Sequence, residues 1–219
     1  MIQPIFGLAK ATGASDPKSL AAAYGTWSGI RSNHVISQSG RFWGSDGSSR
    51  SISSKEDRGL LLEIRSRSDL IVVDAATARL EQYRTPISGA RLAIFSSSGN
   101  FTGIPAVEEQ ETPVFLFSSS AEQLNSISSK NVHVRIQPNP FEGFQSWAND
   151  NGFGSILLEA GPTLTAIAFK AGIVGQSAIT RTPIATNDGP DTLQNPFDKE
   201  AVLVSFAQSE DASFSLWTH

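Results

Sequence analysis

Leu70-Ile71-Val72-Val73-Asp74-Ala75-Ala76-Thr77 opens with four consecutive apolar residues and closes on an acid, two alanines and a threonine. A continuous apolar run of this kind reads as a strand covered on both faces, as in the parallel sheets of α/β proteins. The same reading fits 91–95, 113–117, 132–136 and 156–158. Helical stretches at 121–127, 140–151 and 162–171 fall between and after these strands, the last opening with Pro162 behind Gly161 and ending near Gly172. Upstream of the opening strand, Ser54 and Asp57 are spaced like a capping box, and Leu60, Leu61 and Ile64 give the helix that follows an apolar face through about Arg67. Strand, helix, strand, helix with short connections predicts a doubly wound sheet with helices on both faces.

The two ends differ. Ser15-Asp16-Pro17 starts a short helix to Tyr24, and 1–28 reads as a peripheral segment before a strand at 30–37. Strands at 177–184, 201–208 and 213–218 follow one another without helices, with a turn at Glu210-Asp211 between the last two. An antiparallel C-terminal edge on a mostly parallel sheet is expected. No linker or internal repeat divides the chain, so 1–219 reads as one domain.

Composition narrows the chemistry. The 219 residues are 39% hydrophobic and 17% charged and include no cysteine, which excludes thiol nucleophiles, cysteine zinc sites and iron–sulfur clusters. A net charge of −4 argues against nucleic-acid binding. No apolar run approaches the roughly 18–20 residues that span a bilayer, so no membrane partner is expected and the cytoplasm is the expected location. Charge is unevenly split: residues 1–110 hold 12 Lys+Arg against 10 Asp+Glu, and residues 111–219 hold 5 against 11. An anion would favour the first half. The three histidines, His34, His133 and His219, are too scattered to suggest a metal site. No nucleophile elbow, phosphate loop or His-Glu-x-x-His motif occurs.

In an open α/β sheet the ligand crevice lies beyond the C-terminal strand ends, here 74–77, 96–98, 118–120 and 159–162. Ser118 and Ser119 can hold phosphate oxygens there, or cap the next helix. Glu159-Ala160-Gly161-Pro162 places an acid, a glycine and a proline-started helix where a pyrophosphate could lie; Glu159 can equally be a satisfied buried acid.

Ordered motifs across 20–84 and 155–218 resemble the reductase domain of riboflavin-biosynthesis deaminase/reductases, and more nearly the actinobacterial pyrimidine-reductase-like branch. The residues are Tyr24, Asn33, Ser37-Gln38-Ser39-Gly40, Ser45-Asp46-Gly47-Ser48, Asp57-Arg58, Ile64-Arg65-Ser66, Asp74-Ala75-Ala76-Thr77-Ala78-Arg79-Leu80-Glu81-Gln82-Tyr83, Glu159-Ala160-Gly161-Pro162 and Thr182-Pro183. The resemblance implies a dihydrofolate-reductase-like fold, a homodimer, NADPH as cofactor, and hydride transfer to a pyrimidine-linked sugar or pterin-like small molecule. It places Asp74, Ala76, Thr77, Glu159, Ala160, Gly161 and Pro162 on the cofactor side, beside the Ser118 and Ser119 that the strand-end reading puts there, and Asn33, Ser37, Ser39, Glu81 and Tyr83 on the substrate side, with Arg79, Glu81 and Tyr83 in a loop. It assigns no catalytic residue and no metal.

Several positions depart from that pattern. Asp74, Ala76 and Ala160 stand where the family has glycine, Ser39 where it has Asp, and Gly175-Gln176-Ser177 where it has Asp-Glu-Leu. A carboxylate about 4 Å from a phosphate repels it by roughly 4 kcal/mol at an effective dielectric near 20, about a thousandfold in affinity. Alternatively Asp74 caps the next turn or pairs with Arg79. The sequence therefore also admits a catalytically silent homologue kept as a dimeric binding protein.

Overall fold

Among the residues described by the computed structural model, 1–108, 112–118, 132–135, 139–187 and 200–219, ten strands form one sheet. They are β1 (Gln3–Phe6), β2 (Gly29–Ile36), β3 (Leu70–Asp74), β4 (Arg91–Phe95), β5 (Phe115–Ser118), β6 (Val132–Arg135), β7 (Ser155–Leu158), β8 (Val174–Arg181), β9 (Val202–Gln208) and β10 (Ser213–Thr218), in the order β1-β9-β10-β8-β2-β7-β3-β4-β5-β6. From β8 to β6 every pairing is parallel, and β10 runs antiparallel to both β8 and β9. The mostly parallel sheet with an antiparallel C-terminal edge is as the sequence predicts. Ser209 N donates to Ala212 O at 2.7 Å and closes the Glu210-Asp211 turn.

Alternation along the strands sorts the core into two layers. Ile71, Val73 and Leu157 face one cluster with Leu20, Leu60, Ile64, Ala78 and Ala106. These come from α2 (Pro17–Tyr24), α3 (Lys55–Arg65), α4 (Ala75–Leu80) and α5 (Pro105–Glu108). Leu70, Val72, Ile156 and Leu158 face the other, with Phe144, Ala148, Leu164 and Ala168 of α6 (Phe144–Asp150) and α7 (Pro162–Lys170). Because successive side chains point to opposite faces, the opening apolar run feeds both layers. Phe95 and Phe117 stack at 4.5 Å, and Phe144 and Trp147 close over them edge-on.

Three expectations need correction. Residues 1–28 are integral rather than peripheral: β1 pairs with β9, α1 (Gly7–Thr12) precedes α2, and Ile2, Ala9, Ala14, Leu20 and Tyr24 are buried. The expected loop after β3 is the helix α4, so Arg79 is helical and only Glu81 and Tyr83 lie beyond it. The expected helix at 140–151 is shorter, beginning at Phe144. The expected helix at 121–127, and Ser119, lie outside the described residues.

Candidate functional site

The C-terminal ends of β2, β3, β4 and β7 open on two adjoining cavities. The first, about 780 Å³, is lined by Asn33 and His34 from β2, by Asp57, Arg58 and Arg65 from α3, by Glu81 and Tyr83 after α4, and by Glu159 and Ala160 after β7. The second, about 470 Å³, lies between α4, the end of β4 and the start of α7, with Asp74, Ala76, Ser96, Ser97, Ser98, Pro162 and Thr163 on its wall. Trp43, Thr77 and Gly161 line both. The two cavities meet where the sequence brings together the acid-ended β3 and the glycine before α7.

Glu159 anchors the first cavity. It is buried, and its amide donates to Val72 O at 2.9 Å, which continues the β3–β7 pairing by one residue. The Arg65 guanidinium holds its carboxylate bidentately, Nε at 2.8 Å from Oε1 and Nη2 at 2.5 Å from Oε2, and the Tyr83 hydroxyl donates to Oε2 at 2.6 Å. Arg65 also lies over the Tyr83 ring at 5.2 Å. Burial works against the Arg65 cation, but the adjacent Glu159 carboxylate more than offsets this and holds its pKa above the ordinary arginine value. Burial, reinforced by Glu159, pushes the Tyr83 hydroxyl well up. Glu159 is therefore a satisfied buried acid whose partners themselves line the cavity. Arg65, in the last turn of α3, was not singled out from the sequence, because its partner lies 94 positions away.

The carboxylate pattern continues at the rim. Glu81 accepts the Ser49 amide at 2.6 Å and pairs with Arg50 at 3.5 Å, tying the glycine- and serine-rich loop to the end of α4. Asp57 is buried at the start of α3, with the Ser53 hydroxyl donating to it at 2.5 Å, and burial pushes its pKa up. His34 packs edge-on against Phe42 at 5.3 Å with Nε2 buried and without a hydrogen-bond partner, and desolvation lowers its pKa to about 4. The imidazole facing this cavity is neutral at ordinary pH.

Other candidates move away from it. Ser37 is fully buried and accepts the Arg41 amide at 2.9 Å, closing a turn. Ser39 exchanges hydrogen bonds with the Thr186 backbone, donating to its carbonyl and accepting from its amide. Neither lines either cavity, so the substrate-side role expected for both is replaced by a loop-fastening one. Ser118 is buried at the end of β5 and also lies off both cavities, against the expected cofactor-side position.

In the second cavity Asp74 is the N-cap of α4. Its Oδ1 accepts the Thr77 amide at 2.9 Å, while its Oδ2 accepts the Thr77 hydroxyl at 2.8 Å and the Gly161 amide at 2.6 Å. The capping alternative holds, and the Arg79 pairing does not: that guanidinium donates to the backbone carbonyls of Ala75, Asn100 and Thr102. Ala160 is buried and Ala76 exposed. No group of acids and histidines able to hold a metal occurs among the described residues. No described helix is long and apolar enough to cross a membrane.

No protein-family model matches the chain and no curated protein sequence matches it. Solved structures do. A pyrimidine reductase-like protein of Corynebacterium diphtheriae superposes with a TM-score of 0.71 at 18% identity, over 98% of each chain. The diaminohydroxyphosphoribosylaminopyrimidine deaminase/5-amino-6-(5-phosphoribosylamino)uracil reductase of Thermotoga maritima gives 0.74 at 15% identity, over 92% of this chain and 59% of that one. A dihydrofolate reductase of Enterococcus faecalis, complexed with NADP(H), gives 0.58 at 10% identity, over 88% and 97%. The fold is the dihydrofolate-reductase-like one shared by riboflavin-biosynthesis reductases.

The residues present do not fit the pyrophosphate of a nicotinamide dinucleotide at the junction of the two cavities. The Thr77 and Gly161 donors that would receive it are already bonded to the Asp74 carboxylate.

Proposed function

We propose that this chain is a protein of the pyrimidine-reductase type whose first cavity binds a pyrimidine-linked sugar or pterin-like molecule. The observation that carries this reading is the Glu159–Arg65–Tyr83 network, fixed at a strand end on the wall of a cavity of about 780 Å³. A rigid, buried acid with oriented donors suits recognition of a polar heterocycle, and Arg50 and Arg58 at the same cavity suit a phosphorylated sugar. The Thermotoga protein carries such a substrate in its name, which supports the class. Hydride transfer from NADPH to the bound molecule is the activity the resemblance implies, and the Asp74 carboxylate seated on the Thr77 and Gly161 donors stands against it. The second cavity meets the first at Trp43, Thr77 and Gly161, so a hydride donor would have to lie beside Asp74. The same reading makes the protein a homodimer, which sedimentation velocity tests.

A second reading, a silent homologue that binds without reducing, is favoured by Asp74. The test is titration with 5-amino-6-(5-phosphoribosylamino)uracil and with dihydrofolate, following the unfolding temperature and, with NADPH present, absorbance at 340 nm. A ligand at a hundred times its dissociation constant adds about 2.7 kcal/mol, so the reading expects clear stabilisation by one of the two. No stabilisation by either at millimolar concentration refutes it; stabilisation without loss of 340 nm absorbance establishes the second reading.

A further inference from the structure

The junction between the cavities is satisfied from within. Two backbone amides and a hydroxyl converge on one point from α4 and from the start of α7, and the group they hold is the chain's own Asp74 carboxylate. The fit leaves no slack: a Cβ built on Gly161 would lie 2.7 Å from Thr77 Oγ1 and 3.2 Å from Asp74 Oδ2. Arg79, the cation lining the second cavity among the described residues, is committed to three backbone carbonyls, of Ala75, Asn100 and Thr102. Its hydrogen bonds go to these carbonyls and not to the Asp74 carboxylate.

We propose that Asp74 is a specificity-determining residue: an internal anion that occupies the donors a pyrophosphate would need and so selects against dinucleotides at this crevice. The inference rests on reading the second cavity as the cofactor side. A phosphate arriving here meets a carboxylate instead of amide donors, and must either displace Asp74, uncapping α4, or bind beside a like charge. The wild-type chain is expected to hold NADPH at least about thirtyfold more weakly than a chain uncharged at position 74.

The test is Asp74→Ser, which leaves a cap oxygen for the Thr77 amide and removes the charge, with Asp74→Asn as the near-isosteric companion. Each full-length protein is titrated with NADPH and separately with inorganic pyrophosphate, following tryptophan fluorescence, since Trp43 lines both cavities, and the unfolding temperature. A thirtyfold or larger gain for NADPH in either folded variant, matched in direction by pyrophosphate, is the expected result. Equal affinity in wild type and variants overturns the proposal, and so does absence of binding in variants whose circular dichroism is unchanged. The uracil nucleotide titrated alone reads the first cavity: if it fails to bind while the Asp74 effect stands, the functional proposal falls and this one does not.

Discussion

Glu159 is held by one guanidinium and one hydroxyl, and removing each has a different consequence. Arg65→Ala leaves a buried carboxylate without its counter-ion, and such a loss costs about 3–5 kcal/mol. Tyr83→Phe removes one hydrogen bond to a charged acceptor, about 1.5–3 kcal/mol. Chemical denaturation of both variants checks the order, which is expected to place Arg65→Ala lower. Arg31 presents the opposite situation. It is fully buried over Trp27 at 4.0 Å and, among the described residues, donates only to neutral oxygens, of Gln176, Tyr24 and Gly25, and desolvation lowers its pKa to about 10. Gln176→Glu restores a carboxylate at a position where the resembling family has one, and is expected to raise stability by about 1–2 kcal/mol. A lower denaturation midpoint for this variant would contradict that account.

His34 sets a pH dependence. Its folded pKa of about 4 lies below the 6.5 of an exposed histidine, so the unfolded chain binds more protons between these values. Its contribution is present above about pH 6.5 and is lost as pH falls towards about 4. The difference in unfolding free energy between wild type and His34→Gln, followed from pH 7 to 4, is expected to narrow in that window; a constant difference would remove His34 as its source. At this scale the sequence was partly legible. Both readings of Asp74 and Glu159 were open from their places at strand ends, but which one holds depends on Gly161 and Arg65, partners distant in the chain. Ser37 and Ser39 were misplaced because a serine beside a crevice and a serine fastening a loop look alike in sequence.

The helix α4 joins the two halves of the site through its ends. Asp74 caps its start, and its end is a Schellman turn: the Tyr83 amide donates to Ala78 O at 2.9 Å and the Gln82 amide to Arg79 O at 3.3 Å. Gln82 is the non-glycine residue with positive φ, +53°, among the described residues. That turn reverses the chain so that Tyr83 reaches Glu159. A side chain in this conformation costs about 1 kcal/mol relative to glycine, so Gln82→Gly is expected to raise the unfolding temperature by about 2–4 °C. No change would mean that the Gln82 side-chain bond to Arg79 O, at 2.7 Å, offsets the strain. The six residues of α4 carry no helical repeat long enough to read, so nothing in the pattern opposed the loop that the resemblance implied there. The apolar runs of β3, β4 and β7 were legible because strands buried on both faces need apolar residues throughout.

Across the whole molecule, the parallel centre and antiparallel edge follow from that order of runs, whereas the role of the N-terminus does not. Ile5, Phe6 and Leu8 are exposed while Ile2 and Ala9 are buried, so the segment lacks the alternation of a strand or the stripe of a helix. It nonetheless adds β1 to the β9 edge and buries Ile2 in the main core. Removing residues 1–14 is expected to cost about 3 kcal/mol from lost burial, read as a lower denaturant midpoint. The sheet places the strand ends, the strand ends make one crevice, and Asp74 stands where its two cavities meet, at a junction filled by the protein itself. A crystal structure of the protein grown in millimolar NADPH tests that arrangement most directly. The account predicts Asp74 still bonded to Thr77 and Gly161 with no phosphate on those donors; a pyrophosphate seated on them, with the Asp74 side chain turned away, would contradict it.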